Sequence, residues 1–292
     1  MIDGHVHLWQ LGQHGCTWPT PAEAPIYRSY GLDDLAPLAQ AAGIEGVVLV
    51  QSQQQDADTD YLLSVAAHPL VKAVVGWVDL LDRAAPQRIR ALASDPKLRS
   101  IRPMLQCLPD DDWICQAELA PAIAALEDKG LVFDALVFPR HLPYLARFAR
   151  RYPGLPVVID HAAKPPLATG NKQGFNAWCA AMAPLADMAQ VYCKLSGLLT
   201  EAAADQGEEA LYPYVDWLLA NIGAERLLWG SDWPVVELAP AKHLAGYRAW
   251  QQLTLALLAS CSPVERQAIM GGTARQFYQF SESGAFAGRA AT

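Results

Sequence analysis

Eight short runs rich in apolar and β-branched residues punctuate the chain, at 2–8, 46–51, 73–78, 100–105, 132–138, 156–161, 190–196 and 226–232. Amphipathic stretches separate them, at 32–42, 60–68, 86–94, 117–129, 142–152, 174–188 and 211–222, and a last one covers 263–278. Gly43 and Gly130 follow two of these stretches as C-terminal stops, and Pro69 and Pro153 end two others. An apolar strand followed by an amphipathic helix, repeated eight times, predicts an α/β fold: a single (β/α)8 barrel over residues 1–280, with a small, polar, frayed tail at 281–292. An open doubly wound sheet is the alternative, and it is disfavoured because no Gly-rich phosphate loop follows the first run. Two connections are longer than the alternation needs. Residues 9–31 carry Trp9, Trp18, Tyr27 and Tyr30, and residues 197–210 carry Thr200, Glu201, Asp205 and Gln206. Both follow strands, which assigns them to the C-terminal face where barrel active sites lie.

Polar residues interrupt the apolar runs mainly at their C-terminal ends. The first run holds His5 and His7, two apart, so an extended backbone aims both imidazoles to one side. Alone, that pair is a weak motif, and two histidines on an edge strand, one of them solvated, is the plainer reading. The other runs add Gln51, Trp77 with Asp79, Arg102 followed by Gln106, Arg140-His141, Asp160-His161 followed by Lys164, Lys194 with Ser196, and Asp232-Trp233. In a barrel these ends converge on one mouth, and so many polar groups on apolar strands are costly unless they are paired or functional. Alternation along the strand turns Asp160 away from His161, which makes it a structural residue. Lys194 needs a partner, for which Asp232 and Glu201 are the candidates, and Arg102 has Asp79 as a competing structural partner. His14, His68, His141 and His243 fall in helix or loop contexts and read as surface residues.

Composition narrows the partners. The net charge is −8 with no basic stripe, which excludes nucleic acid as a partner. No run approaches the length of a membrane span, and the N-terminus lacks the basic and apolar regions of a signal peptide. The six cysteines form no CxxC pair and read as reduced, mostly buried thiols of a cytoplasmic protein.

Four segments together carry a resemblance: Ile2-Asp3-Gly4-His5-Val6-His7, Val158 to Pro165, Tyr192 to Leu198, and Trp229-Gly230-Ser231-Asp232-Trp233-Pro234. With Val75 to Leu80 and Gly271 to Ala274, they resemble the amidohydrolase superfamily, within it the branch that holds sugar-acid lactonases. The resemblance implies that His5, His7, His161 and Asp232 hold one divalent metal, zinc in related members, and that Asp232 takes a proton from the attacking water. Three imidazoles and a carboxylate suit zinc chemically. A second metal is not expected, because the fifth run leads into Phe138-Pro139-Arg140 and Lys194 stands where a further histidine would be wanted. Some relatives work without metal, and then Lys194 and Arg102 would act as the electrophile. The implied function is opening of an aldonolactone, with Asp232, His161, Lys194 and Arg102 catalytic. Gln51, Trp77, Gln106, Lys164 and Trp233 would bind the small-molecule sugar lactone. A metal-dependent decarboxylase, a pyrone-dicarboxylate-type lactonase and a silent sugar-acid-binding barrel are the other readings, and a homo-oligomer is left open.

Overall fold

The chain alternates strand and helix around a single parallel sheet of eight strands hydrogen-bonded in chain order. The computed structural model describes residues 1–280, so the predicted tail at 281–292 lies outside the described residues. The strands are β1 (Ile2–Val6), β2 (Gly46–Val50), β3 (Val71–Gly76), β4 (Leu98–Ile101), β5 (Val132–Ala135), β6 (Val157–Ile159), β7 (Val191–Leu195) and β8 (Leu227–Trp229). The sheet curls until β1 meets β8 through a parallel bridge between Val6 and Trp233. Two backbone bonds complete the seam, from Asp232 N to the His5 carbonyl (2.9 Å) and from His7 N to the Trp233 carbonyl (2.8 Å). The architecture is the predicted (β/α)8 barrel.

Helices α1 (Leu32–Ala41), α2 (Asp56–Val65), α3 (Ala85–Leu92), α4 (Ala120–Lys129), α5 (Leu142–Arg151), α6 (Lys172–Ala186) and α7 (Tyr212–Asn221) follow the first seven strands. Each sits on a predicted amphipathic stretch and turns its apolar stripe to the outside of the sheet. Helix α8 (Tyr247–Leu257) has no counterpart in the sequence reading. Its buried face includes Gln251 and Thr254, which interrupt the apolar periodicity. Those two are satisfied locally: Gln251 Nε2 donates to the Ala42 carbonyl at 2.8 Å, and Thr254 Oγ1 accepts from Trp229 Nε1 at 3.2 Å. The stretch 263–278 is not one helix. It divides into α9 (Pro263–Gln267), a wide turn over Ala268–Gly272, and α10 (Thr273–Phe277). The break sits where Gly271 packs on β1, close enough that a Cβ would come within 2.8 Å of Ile2 N.

The barrel interior has an apolar bottom and a polar top. Ile2, Val48, Ala73, Val75, Val132, Val158 and Leu228 fill the lower part, closed from below by Ala274, Phe277 and Tyr278. Above them the inward side chains become Ser100, Arg102, Asp134, Asp160 and Lys194, all buried. The strand ends and following loops form the mouth.

Candidate active site

The polar layer begins on strands whose alternation sends every second residue inward. Asp134 of β5 and Lys194 of β7 meet at 2.5 Å, and the same carboxylate accepts from Ser100 Oγ (2.6 Å) and Tyr278 Oη (2.7 Å). Lys194 Nζ also lies 2.9 Å from Asp160 and 3.0 Å from His5 Nδ1. Arg102 completes the layer, donating to Asp160 at 2.9 Å and to the Gln51 carbonyl. Each cation in this floor thus has a carboxylate, as buried charges require. Burial raises Asp160, but Lys194, His5 and Arg102 outweigh it and hold the carboxyl well below its usual range. Asp134 goes the other way, raised by burial against the pull of Lys194.

Five expectations are corrected here. Asp160 faces the barrel interior, on the same side as His161. The backbone explains this: after Ile159 the four residues His161 to Lys164 all have left-handed φ, between 50° and 59°, so strand alternation ends before His161. Trp178 Nε1 holds that turn by donating to the Ala162 carbonyl at 2.8 Å. Lys194 pairs with Asp134 and Asp160 in place of Asp232 or Glu201, and Arg102 pairs with Asp160 in place of Asp79. His141 is buried, with Nδ1 accepting from Phe138 N at 2.9 Å and Nε2 3.2 Å from Asp111. Among the six free cysteines only Cys193 is buried, so the thiols are more exposed than expected.

Above the floor stands a cluster of imidazoles around one carboxylate. His5 Nε2 lies 3.1 Å from His7 Nε2. Asp232 Oδ1 is 3.4 Å from His7 Nε2, 3.7 Å from His5 Nε2 and 3.9 Å from His161 Nε2. A tetrahedral zinc site with arms of 2.0–2.1 Å has ligand–ligand edges of about 3.3 Å, so these spacings suit one small divalent ion. The outer nitrogens are engaged. His7 Nδ1 is 2.8 Å from the Val50 carbonyl, which only a protonated nitrogen can approach, leaving Nε2 free as a ligand. His161 Nδ1 bonds Ser196 Oγ at 2.9 Å. Burial lowers His161 to about 4, partly opposed by the neighbouring carboxylates, and holds His5 well below its ordinary value, so both are neutral at pH 7. With Lys194 Nζ donating to His5 Nδ1, the His5 proton sits on Nε2, facing His7 Nε2. Asp232 is raised by burial, but His161, His7 and His5 more than reverse that and keep it ionised. The packing leaves little slack: a Cβ on Gly230 would stand 2.6 Å from His5 Cβ. Asp3 braces the seam from beneath, accepting from Ser231 N (2.8 Å) and His5 N (3.1 Å).

The cluster opens into a cavity of about 500 Å³ lined by His7, Arg102, Gln106, His161, Lys164 and Asp232. Both long loops reach it, 9–31 through Thr17 and Trp18 and 197–210 through Thr200. Two polar atoms of lining residues, Arg102 Nε and Gln106 Oε1, are buried without a hydrogen-bond partner. Of the other predicted residues, His5 and Lys194 sit below the cavity, fully buried. Gln51 does not reach the wall, because its amide turns down to donate to the Arg102 carbonyl at 2.8 Å. Trp233 packs edge-on against Tyr30, and Trp77 lines a smaller adjoining cleft with Trp113. The sequence reading overlooked Gln53. Its Oε1 accepts from Thr17 N (3.0 Å) and Trp18 N (3.3 Å), and its Nε2 donates to the Trp18 carbonyl (2.7 Å), fixing the long loop as a wall. The Gln-rich run after β2 was the available signal. Asp134 was also passed over, although a carboxylate within an apolar strand implies a buried cation nearby.

Residues 2–280 match the family model described as amidohydrolase. The chain is 49% identical over 284 residues to an L-fucono-1,5-lactonase of Burkholderia ambifaria, covering 95% of each. It is 34% identical to an L-fucono-1,5-lactonase of Burkholderia multivorans, covering 96% of each. A crystal structure of an amidohydrolase from Burkholderia multivorans with bound zinc superposes with a TM-score of 0.89 at 34% identity, covering 96% of this chain and 99% of that one.

Proposed function

The chain belongs to the amidohydrolase family, and on that premise we propose that it is a lactonase that opens the ring of an aldonolactone, with L-fucono-1,5-lactone the first substrate to try. One observation carries the reading beyond the family: His7, His161 and Asp232 reach the wall of one cavity together with Arg102, Gln106 and Lys164. The six unpaired thiols are in keeping with a cytoplasmic setting.

His5, His7 and Asp232, with His161 Nε2 3.9 Å from the same carboxylate, are the residues that would hold a single divalent ion, zinc by the chemistry of the donors. His5 would offer Nε2 with its proton on Nδ1, turned to Asp160. When bound, that ion supplies a Lewis acid for the lactone carbonyl. Asp232, held ionised by the imidazoles around it, takes a proton from water as the water oxygen bonds to the carbonyl carbon. Arg102 lines the cavity, and its charge favours the developing oxyanion. The carbonyl–ring oxygen bond then breaks, Asp232 returns its proton to the ring oxygen, and the product is an open-chain hydroxy acid. Gln106 and Lys164 orient sugar hydroxyls. Lys194 has no free face toward the cavity, so its role is to fix His5 and Asp160 from below, and Gln51 fixes Arg102 in the same way.

The test is acid release from a panel of aldonolactones by the purified protein, with its metal content measured before and after chelation. Acid release from L-fucono-1,5-lactone that is lost on chelation and restored by zinc is expected. A zinc-loaded protein that releases acid from no aldonolactone would rule the reading out.

A further inference from the structure

Charge is distributed around the cavity in a way that bears on which lactones the site accepts. Among the described residues two permanent cations line it, Arg102 and Lys164. Arg102 is spent on Asp160 at 2.9 Å. Lys164 projects from the end of the left-handed turn after β6, and its ammonium is 3.7 Å from Glu201 Oε1. The Phe138 ring backs the ammonium from 5.4 Å, which limits where it can swing. Both partners are mostly buried, with side chains 19% and 23% exposed, so the pair is screened less than a surface ion pair. Glu201 arises from the 197–210 connection, the longer-than-needed loop whose Thr200 forms part of the same wall. The carboxyl is raised by burial and by the charge of Asp232, and Lys164 draws it back down, so it senses both sides of the cavity.

We propose that Glu201 is a specificity-determining positioning residue: by neutralising Lys164 it tunes the cavity to uncharged sugar lactones and against carboxylates, including the enzyme's own product. This rests on the lactonase reading above, and it adds a consequence. The substrate is neutral and the product carries one negative charge. With Lys164 paired, the wall adds no free ammonium to the charge of the metal-loaded cluster, so the carboxylate formed on ring opening gains no partner there. Without the Glu201 charge, Lys164 becomes a free ammonium in the wall and a ready partner for a carboxylate.

The experiment compares the zinc-loaded full-length protein with Glu201→Gln. Two constants are measured for each: KM for L-fucono-1,5-lactone, and the affinity of L-fuconate as product inhibitor and by calorimetric titration. Glu201→Gln is expected to tighten L-fuconate about fivefold while KM for the neutral lactone stays within about twofold. Adding about 0.5 M sodium chloride should erase the gain, as should Lys164→Gln in the same chain. A purely structural pair would shift KM and product affinity together, and that result overturns the proposal, as does an unchanged L-fuconate affinity with hydrolysis intact. The titration needs no turnover. Tightening by Glu201→Gln in a protein that hydrolyses no lactone would therefore support the charge inference while the lactonase reading fails.

Discussion

Two charged layers lie one above the other in the barrel, and they are built on opposite terms. In the floor, Asp134, Asp160, Lys194 and Arg102 are buried and paired with one another. At the rim, His7, His161 and Asp232 lie at most 5% exposed yet still face the cavity, with His7 Nε2 3.4 Å and His161 Nε2 3.9 Å from Asp232 Oδ1. A layer whose charges are paired internally holds position and contributes to chemistry mainly through its field. One that faces the cavity can meet a ligand directly but cannot hold itself in place. His5 joins the two, with Nδ1 against Lys194 and Nε2 against His7. On this account, damage to the floor costs stability first, and damage to the rim costs turnover first.

The largest effect on stability is expected from Lys194→Met, which leaves Asp134 and Asp160 facing each other without the ammonium between them. Removing one partner of a buried charge network costs about 3–5 kcal/mol, read as a lower urea midpoint, and Asp134→Asn in the same chain should recover part of it. Next comes the pH response of the metal-free protein. His161 sits at about 4 in the folded state against 6.5 for the free side chain. Between those values the unfolded chain binds a proton that the folded chain refuses. Stability is therefore full above about pH 6.5 and falls as the pH drops toward 4, by up to roughly 3 kcal/mol for this residue. Unfolding curves from pH 7 to 4 should show that slope, shallower by up to one proton in His161→Asn. A slope unaltered by the substitution would place the proton elsewhere. The smallest stability effect is expected from Gly230→Ala. The added methyl meets His5 Cβ, and the overpacking costs roughly 1–3 kcal/mol. Its sharper signature is zinc content, which should fall with the displaced His5, and full zinc stoichiometry would show that His5 has more freedom than the packing implies.

The same division explains what could be read from the chain. The barrel was legible because every strand carries its own apolar run, and His5, His7 and Asp232 were legible because they sit at the ends of such runs. The pairings were not. Asp160 was assigned to the wrong face because alternation stops at a left-handed turn of non-glycine residues, His161, Ala162, Ala163 and Lys164, which no local sequence preference announces. Gln51 was placed correctly at a strand end, but the direction of its amide depends on Arg102, 51 residues away. Helix α8 was invisible because Gln251 and Thr254 are buried against partners, Ala42 and Trp229, that only the fold supplies.

The most direct test of the division sets one rim variant beside one floor variant in the same two assays. Asp232→Asn keeps the shape of the rim and removes the base, so its turnover of L-fucono-1,5-lactone should drop on the order of a thousandfold while its urea midpoint stays near that of the parent protein. Lys194→Met should show the reverse order, a lowered midpoint whatever activity remains. If Asp232→Asn hydrolyses the lactone within about tenfold of the parent rate, a loss well short of what removing a general base costs, the rim carboxylate is not the base and the account is wrong.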